Sequence, residues 1–111
     1  MESAPGSFGN LYENVPHKLT EELFQVLVKT DNFIIERIVS TGQVSTEWYD
    51  QDEVEFCCVL KGAAELLFDA SEKPMRMNPG AFVVIPAHVR HKVVYTDNAQ
   101  PTVWLAMKWK K

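Results

Sequence analysis

Apolar residues in this chain come in short runs separated by glycine, proline and acidic turns, and one stretch departs from that rhythm. Leu23, Phe24, Leu27 and Val28 fall at i, i+1, i+4 and i+5, the spacing of a helical apolar stripe. Thr20 before it suits an N-cap, and Glu21 and Glu22 suit the positive end of a helix dipole. Lys29 and then Asp31-Asn32 supply a stop. The pattern predicts a short N-terminal helix of about two turns.

From Phe33 onward the pattern is strand and turn. Phe33 to Ser40 is rich in Ile and Val, and Val54 to Leu60 is apolar and ends at Lys61-Gly62. Ala63 to Phe68, Met75 to Met77, Phe82 to Ile85, His91 to Tyr95 and Thr102 to Trp109 follow, each bounded by Gly, Pro, Asp or Asn. Strands this short, at close and regular intervals, predict an all-β sandwich or barrel. Residues 1–16, small, polar and turn-rich at their start, are expected to be a flexible arm, and residues 17–111 a single β-barrel domain.

At 111 residues the chain has room for one core. Its net charge of −4 lacks the basic excess of a nucleic-acid surface, and Lys108-Trp-Lys-Lys111 reads as a solvated strand end. No apolar run approaches the ~18 residues of a membrane span. The two cysteines are adjacent, Cys57 and Cys58, and neighbours in a strand point to opposite faces, so they do not bridge each other. With no apolar leader at the N-terminus, a reducing, cytoplasmic setting is the expectation.

Candidate chemistry lies at one strand exit. Pro79-Gly80 opens the run Phe82 to Ile85, Pro86 ends its pairing, and His88 and His91, two of the chain's three histidines, follow. Imidazole is the commonest transition-metal ligand and the side chain best suited to acid–base work near neutral pH. Both also read as ordinary loop residues. No phosphate-cradling glycine loop, Ser/His/Asp arrangement or basic aromatic patch accompanies them.

Together with the segment from Gly42 to Gly62, this exit resembles the two-motif signature of the cupin superfamily. Its first motif runs Gly, five residues, His-x-His, four residues, Glu, six residues, Gly, and here Gly42, Trp48, Asp50, Glu55 and Gly62 keep every interval. The second runs Gly, five residues, Pro-x-Gly, two residues, His, three residues, Asn, and here Gly80, Pro86 and His91 match while His88 replaces the glycine and Tyr95 the asparagine. The resemblance spans roughly residues 33 to 109 and implies a double-stranded β-helix, or jelly-roll, barrel that forms homodimers. It implies a metal site at the positions of Asp50, Glu55 and His91, taking Fe, Mn, Ni or Zn. Trp48 stands where the first histidine would be, and its indole N–H is a donor only.

On this reading the barrel interior gathers Asp50, Glu55 and His91, with His88 at the mouth as an acid or base. Trp48, Tyr49, Phe56 and Cys57 line a ligand pocket and Arg90 steers an anion toward it. Cys57, beside carboxylates, is not expected to act as a nucleophile. The expected function is binding of a small polar or anionic metabolite, with a divalent metal supporting oxygenase- or isomerase-type chemistry. Two alternatives stay open: a metal-free ligand-binding or sensing module, and a dimerising barrel without catalysis.

Overall fold

In the computed structural model, residues 6–110 are described, and they form eight β-strands and no helix. These are β1 (Leu23–Lys29), β2 (Phe33–Ser40), β3 (Val54–Lys61), β4 (Ala64–Phe68), β5 (Met75–Met77), β6 (Phe82–Ile85), β7 (His91–Thr96) and β8 (Thr102–Trp109). All pairings are antiparallel. One sheet has the order β1-β2-β8-β3-β6 and the second the order β5-β4-β7. The seven strands expected after Phe33 all form, within a residue or so of their expected bounds.

The predicted N-terminal helix is a strand. Leu23 to Lys29 pairs with β2 through Leu23↔Val39, Phe24↔Ile38 and Gln25↔Arg37, with a bulge between Val26 and Val28. Asp31-Asn32 is the hairpin turn between the two. Thr30 Oγ1 accepts from the N–H groups of Asn32 and Phe33, and the Thr30 N–H donates to the Phe33 carbonyl at 2.9 Å. A segment of about two turns is marginal as an isolated helix. As a strand it satisfies its backbone on β2, which outweighs the helical spacing of its apolar residues.

The two sheets pack face to face on Ile38, Cys57, Val59, Leu66, Met77 and Trp104. The outer face of the larger sheet is also buried at Arg37, Val39 and Val103. Arg37 ties the N-terminal segment to it, donating through Nη1 to the carbonyls of Leu11 (3.0 Å) and Glu13 (2.7 Å) and through Nε to Gln25 (2.7 Å). Of the arm expected over residues 1–16, the first five lie outside the described residues. Gly62 sets the sharp turn from β3 into β4. Its φ is +84°, and a Cβ there would collide with Thr102 Oγ1. That hydroxyl is itself engaged with both the N–H and the carbonyl of Ala63.

Candidate functional site

The inward face of β3 carries Glu55, Cys57 and Val59, and the irregular segment before it continues the same alternation through Tyr49 and Gln51. Tyr49 exchanges backbone hydrogen bonds with His91, the first residue of β7, at 2.7 and 3.1 Å. This isolated bridge brings the start of β7 against the segment leading into β3. Between the sheets it helps to close a cavity of about 180 Å³. Phe24, Ile38, Leu66, Ile85, Val93 and Trp104 form its apolar walls, and Glu22, Gln51, Glu55, His91 and Lys108 supply its polar groups. An apolar concavity with a few converging polar groups is the usual form of a small-molecule site.

At its centre Glu55 and His91 face each other, both buried, with Nε2 and Oε1 3.8 Å apart. The Gln51 amide donates to the same Glu55 oxygen at 2.9 Å. On its other side His91 Nδ1 lies 2.9 Å from the Val89 carbonyl. A carbonyl only accepts, so Nδ1 carries a hydrogen and Nε2 is the nitrogen turned toward Glu55. The rings of Tyr49 and Phe68 pack against the imidazole, with centroids at 5.5 and 6.1 Å. The pair therefore consists of one carboxyl and one imidazole nitrogen, oriented by neighbours and sheltered from water.

A second polar line runs along the wall. The Trp104 indole donates to Ser40 Oγ at 3.1 Å, and the Ser40 hydroxyl donates to Glu22. Burial pushes the Glu22 carboxyl above the usual carboxylate range, and the bond from Ser40 opposes that. The Cys57 thiol is pushed up to about 12, by burial first and then by the charges of Glu55 and Cys58, with Lys108 pulling the other way. Such a thiol is not ionised at neutral pH and is no nucleophile. Cys58 is also raised by burial, with a backbone hydrogen bond to Leu105 opposing.

Several residues expected in this cavity lie outside it. Asp50 points to solvent and pairs with His88, Oδ1 to Nδ1, at 2.8 Å. The inward positions leading into β3 are odd-numbered, so Trp48 and Asp50 project outward. The Trp48 ring packs under Arg90 and Lys92, 5.4 and 4.5 Å from its centroid. Arg90 is bound to Asp69 at 3.0 Å, and Phe56 stacks on exposed Phe82 across the outer face of β3 and β6. Tyr49 and Cys57 do line the cavity. Gln51 and Lys108 were not foreseen. Gln51 shares its parity with Glu55, and Lys108 with Trp104 and Ala106, so alternation was the signal available for both.

His88 occupies the glycine position of the second motif, and its φ of +63° shows why glycine suits that position. Its N–H donates to the Gln51 carbonyl at 2.7 Å, so the strained turn is tied to the segment that presents Gln51 to Glu55.

The expected metal site does not assemble. With Asp50 outside, Glu55 and His91 are two donors, whereas a catalytic divalent site ordinarily uses three protein ligands. Among the described residues no group of three or more His, Cys, Asp or Glu side chains is arranged to hold a metal ion. The donor set does not fit the group that the motif implies.

The family model described as a cupin domain matches residues 36–108. The chain belongs to the cupin family. This cupin is 39% identical, with a TM-score of 0.92, to a protein of Ralstonia eutropha JMP134 described as a "putative mannose-6-phosphate isomerase", over 95% of this chain and 99% of that one. A cupin superfamily protein of Desulfitobacterium hafniense DCB-2 shares its fold at 16% identity and a TM-score of 0.73, over 87% and 84% of the two chains. So does the cupin domain of an XRE family transcriptional regulator from Enterobacter cloacae, at 16% identity and a TM-score of 0.66, over 81% and 97%. No curated protein matches the chain. No helix among its described residues is long and apolar enough to cross a membrane.

Proposed function

We propose that this cupin binds a small polar metabolite in its barrel and moves a proton on it, an isomerase-type reaction carried by Glu55 and His91. The buried Glu55–His91 pair is the observation behind the reading. With Nδ1 committed to Val89, Nε2 and the carboxyl group face the same space, an arrangement in which one member acts as base while the other acts as acid. For an α-hydroxy carbonyl substrate, the Glu55 carboxylate takes the C–H proton next to the carbonyl. The His91 Nε2–H protonates the carbonyl oxygen, giving an enediol. Return of the carbon-bound proton to the neighbouring carbon, with loss of a hydroxyl proton to His91, completes the isomerisation and restores both groups. The likeness to the Ralstonia protein, described as a "putative mannose-6-phosphate isomerase", supports the class. Metal-supported oxygenase chemistry is not carried forward, because two donors do not make the three-ligand site it would use.

The test is solvent proton exchange in deuterated water, followed by NMR over small α-hydroxy aldehydes and ketones, with mannose 6-phosphate included. Exchange by the parent that is lost in Glu55→Gln and His91→Gln is expected, and it should survive a chelator. Exchange unchanged in Glu55→Gln, or none with any member of the series, would overturn the reading. Binding without turnover is the second reading, favoured by the largely apolar wall of Phe24, Ile38, Leu66, Ile85, Val93 and Trp104.

The homodimer implied by the family is also a proposal. Edge strand β1, which leaves Phe24, Val26, Leu27 and Val28 exposed, is the surface we assign to it, since an open apolar edge is a template for pairing. Sedimentation of the parent beside Val26→Lys tests this, and a monomeric parent at micromolar concentration would remove it.

A further inference from the structure

We infer that the ligand of this barrel carries an anionic group, a carboxylate or a phosphate, and that Lys108 is its anchor. The inference rests on the acid–base reading of the same cavity and adds the charge of the substrate. Lys108 follows Trp104 and Ala106 on the inward face of β8 and stands directly opposite Glu55 of β3 in the ladder. Residues so opposed share a face, with Cβ atoms about 5 Å apart. Lys108 lines the same cavity as Glu55 and His91.

Among the described residues no carboxylate lies within 4.0 Å of the Lys108 ammonium, while Lys110, two residues on and facing out, is paired with Asp52 at 3.8 Å. The two carboxyl groups in the cavity are engaged elsewhere, Glu55 with Gln51 and His91, Glu22 with Ser40. A positive charge on an apolar wall costs desolvation unless an opposite charge meets it. An anionic ligand supplies one, and it would set the reacting carbon beside Glu55 and His91. Cys57, diagonal to Lys108 on the inward face of the same sheet, has its thiol lowered by that charge against the larger effects that raise it. Arg90, expected to steer an anion, is turned outward to Asp69, so the attraction falls to Lys108 instead.

Quenching of tryptophan fluorescence, with Trp104 on the wall, reads binding of three probes of similar size: glycolate, glycerol 3-phosphate and glycerol. The anchor predicts saturable binding of at least one of the two anions, at least about tenfold tighter than glycerol. Whichever anion binds more tightly names the group. Lys108→Gln should weaken that anion at least about tenfold and leave glycerol unchanged, and Lys108→Arg should restore much of it. A side chain that only packs would not separate charged from neutral probes. Neither anion saturating up to roughly 10 mM, or equal binding by Lys108→Gln and the parent, would overturn the inference. Glu55→Gln keeps the two readings apart: it should retain anion binding while losing proton exchange, so failure of either is seen separately.

Discussion

Among its described residues the molecule holds two carboxylate–imidazole pairs built from the same two sequence motifs, and they invite opposite conclusions. Asp50 and His88 meet at 2.8 Å, with side chains 51% and 67% exposed. Glu55 and His91 stand 3.8 Å apart, with side chains 11% and 5% exposed. By distance alone the outer pair is the stronger interaction. Water and salt screen it, however, and exposed pairs contribute little. The inner pair is looser but sits where the effective dielectric is low and a substrate can replace solvent. Gln51, Val89 and two aromatic rings fix its orientation, whereas the outer pair is held mainly by its own contact. Burial and support, more than proximity, are why the proposed chemistry is assigned to the inner pair.

The largest expected difference is in turnover. Glu55→Gln or His91→Gln should lower the rate of proton exchange by ~100-fold or more, the usual contribution of a positioned acid or base. Asp50→Asn should leave it within about threefold, since Asp50 reaches the cavity only through its loop. Exchange rates by NMR, with folding checked by near-ultraviolet circular dichroism, measure both. A comparable loss in Asp50→Asn would erase the distinction between the pairs.

The adjacent cysteines repeat the comparison at smaller scale. Cys57 faces in and Cys58 faces out, so a thiol reagent at pH 8 should label Cys58 at least about tenfold faster than Cys57, read by peptide mass. The Cys57 thiol is raised from near 9 to about 12. It therefore keeps its proton in the folded chain over a range where the unfolded chain loses it. The sign follows from linkage: the contribution to stability is intact below the unfolded value and declines as pH rises from there toward the folded one. Cys57→Ala should flatten that alkaline decline in denaturant unfolding, at some cost in packing at all pH values. Equal labelling of the two thiols would mean that the inner face is open to solvent.

Much of this was legible in the sequence, and what was missed has physical causes. Seven strands could be read from β-branched runs and Gly/Pro turns because those residues constrain the backbone locally. Leu23 to Lys29 could not, because its apolar spacing is helical and only the hydrogen bonds offered by β2 make it a strand. Glu55 and His91 were legible as a pair through motif spacing. Asp50 was misplaced by the same spacing. The interval matched the family, but interval does not give direction, and in this chain the inward positions from Tyr49 to Val59 are all odd. Lys108 carried a plain parity signal along β8 that was masked by its place in a basic terminal run.

The smallest effects concern the outer pair, and they test whether it is structural ornament or a support for the inner one. His88 pays for its left-handed backbone, a cost of about 1 kcal/mol or somewhat more for a non-glycine residue, and its contact with Asp50 returns under about 1 kcal/mol. His88→Gly should therefore leave stability unchanged or raise it slightly, while His88→Ala, keeping the strain and losing the contact, should be the less stable of the two. Asp50→Asn should cost under about 1 kcal/mol, and that cost should shrink in roughly 1 M salt, where the screening length falls to ~3 Å. Denaturant unfolding of the three variants at low and high salt decides the matter. If His88→Gly proves clearly destabilising, the imidazole is holding the segment from Asp50 to Gln51 in place. Gln51 would then present its amide to Glu55 less well, and the two pairs would be coupled through one loop. If it does not, the outer pair is a local contact on a turn that glycine would make equally well, and the proposed chemistry rests on the inner pair alone.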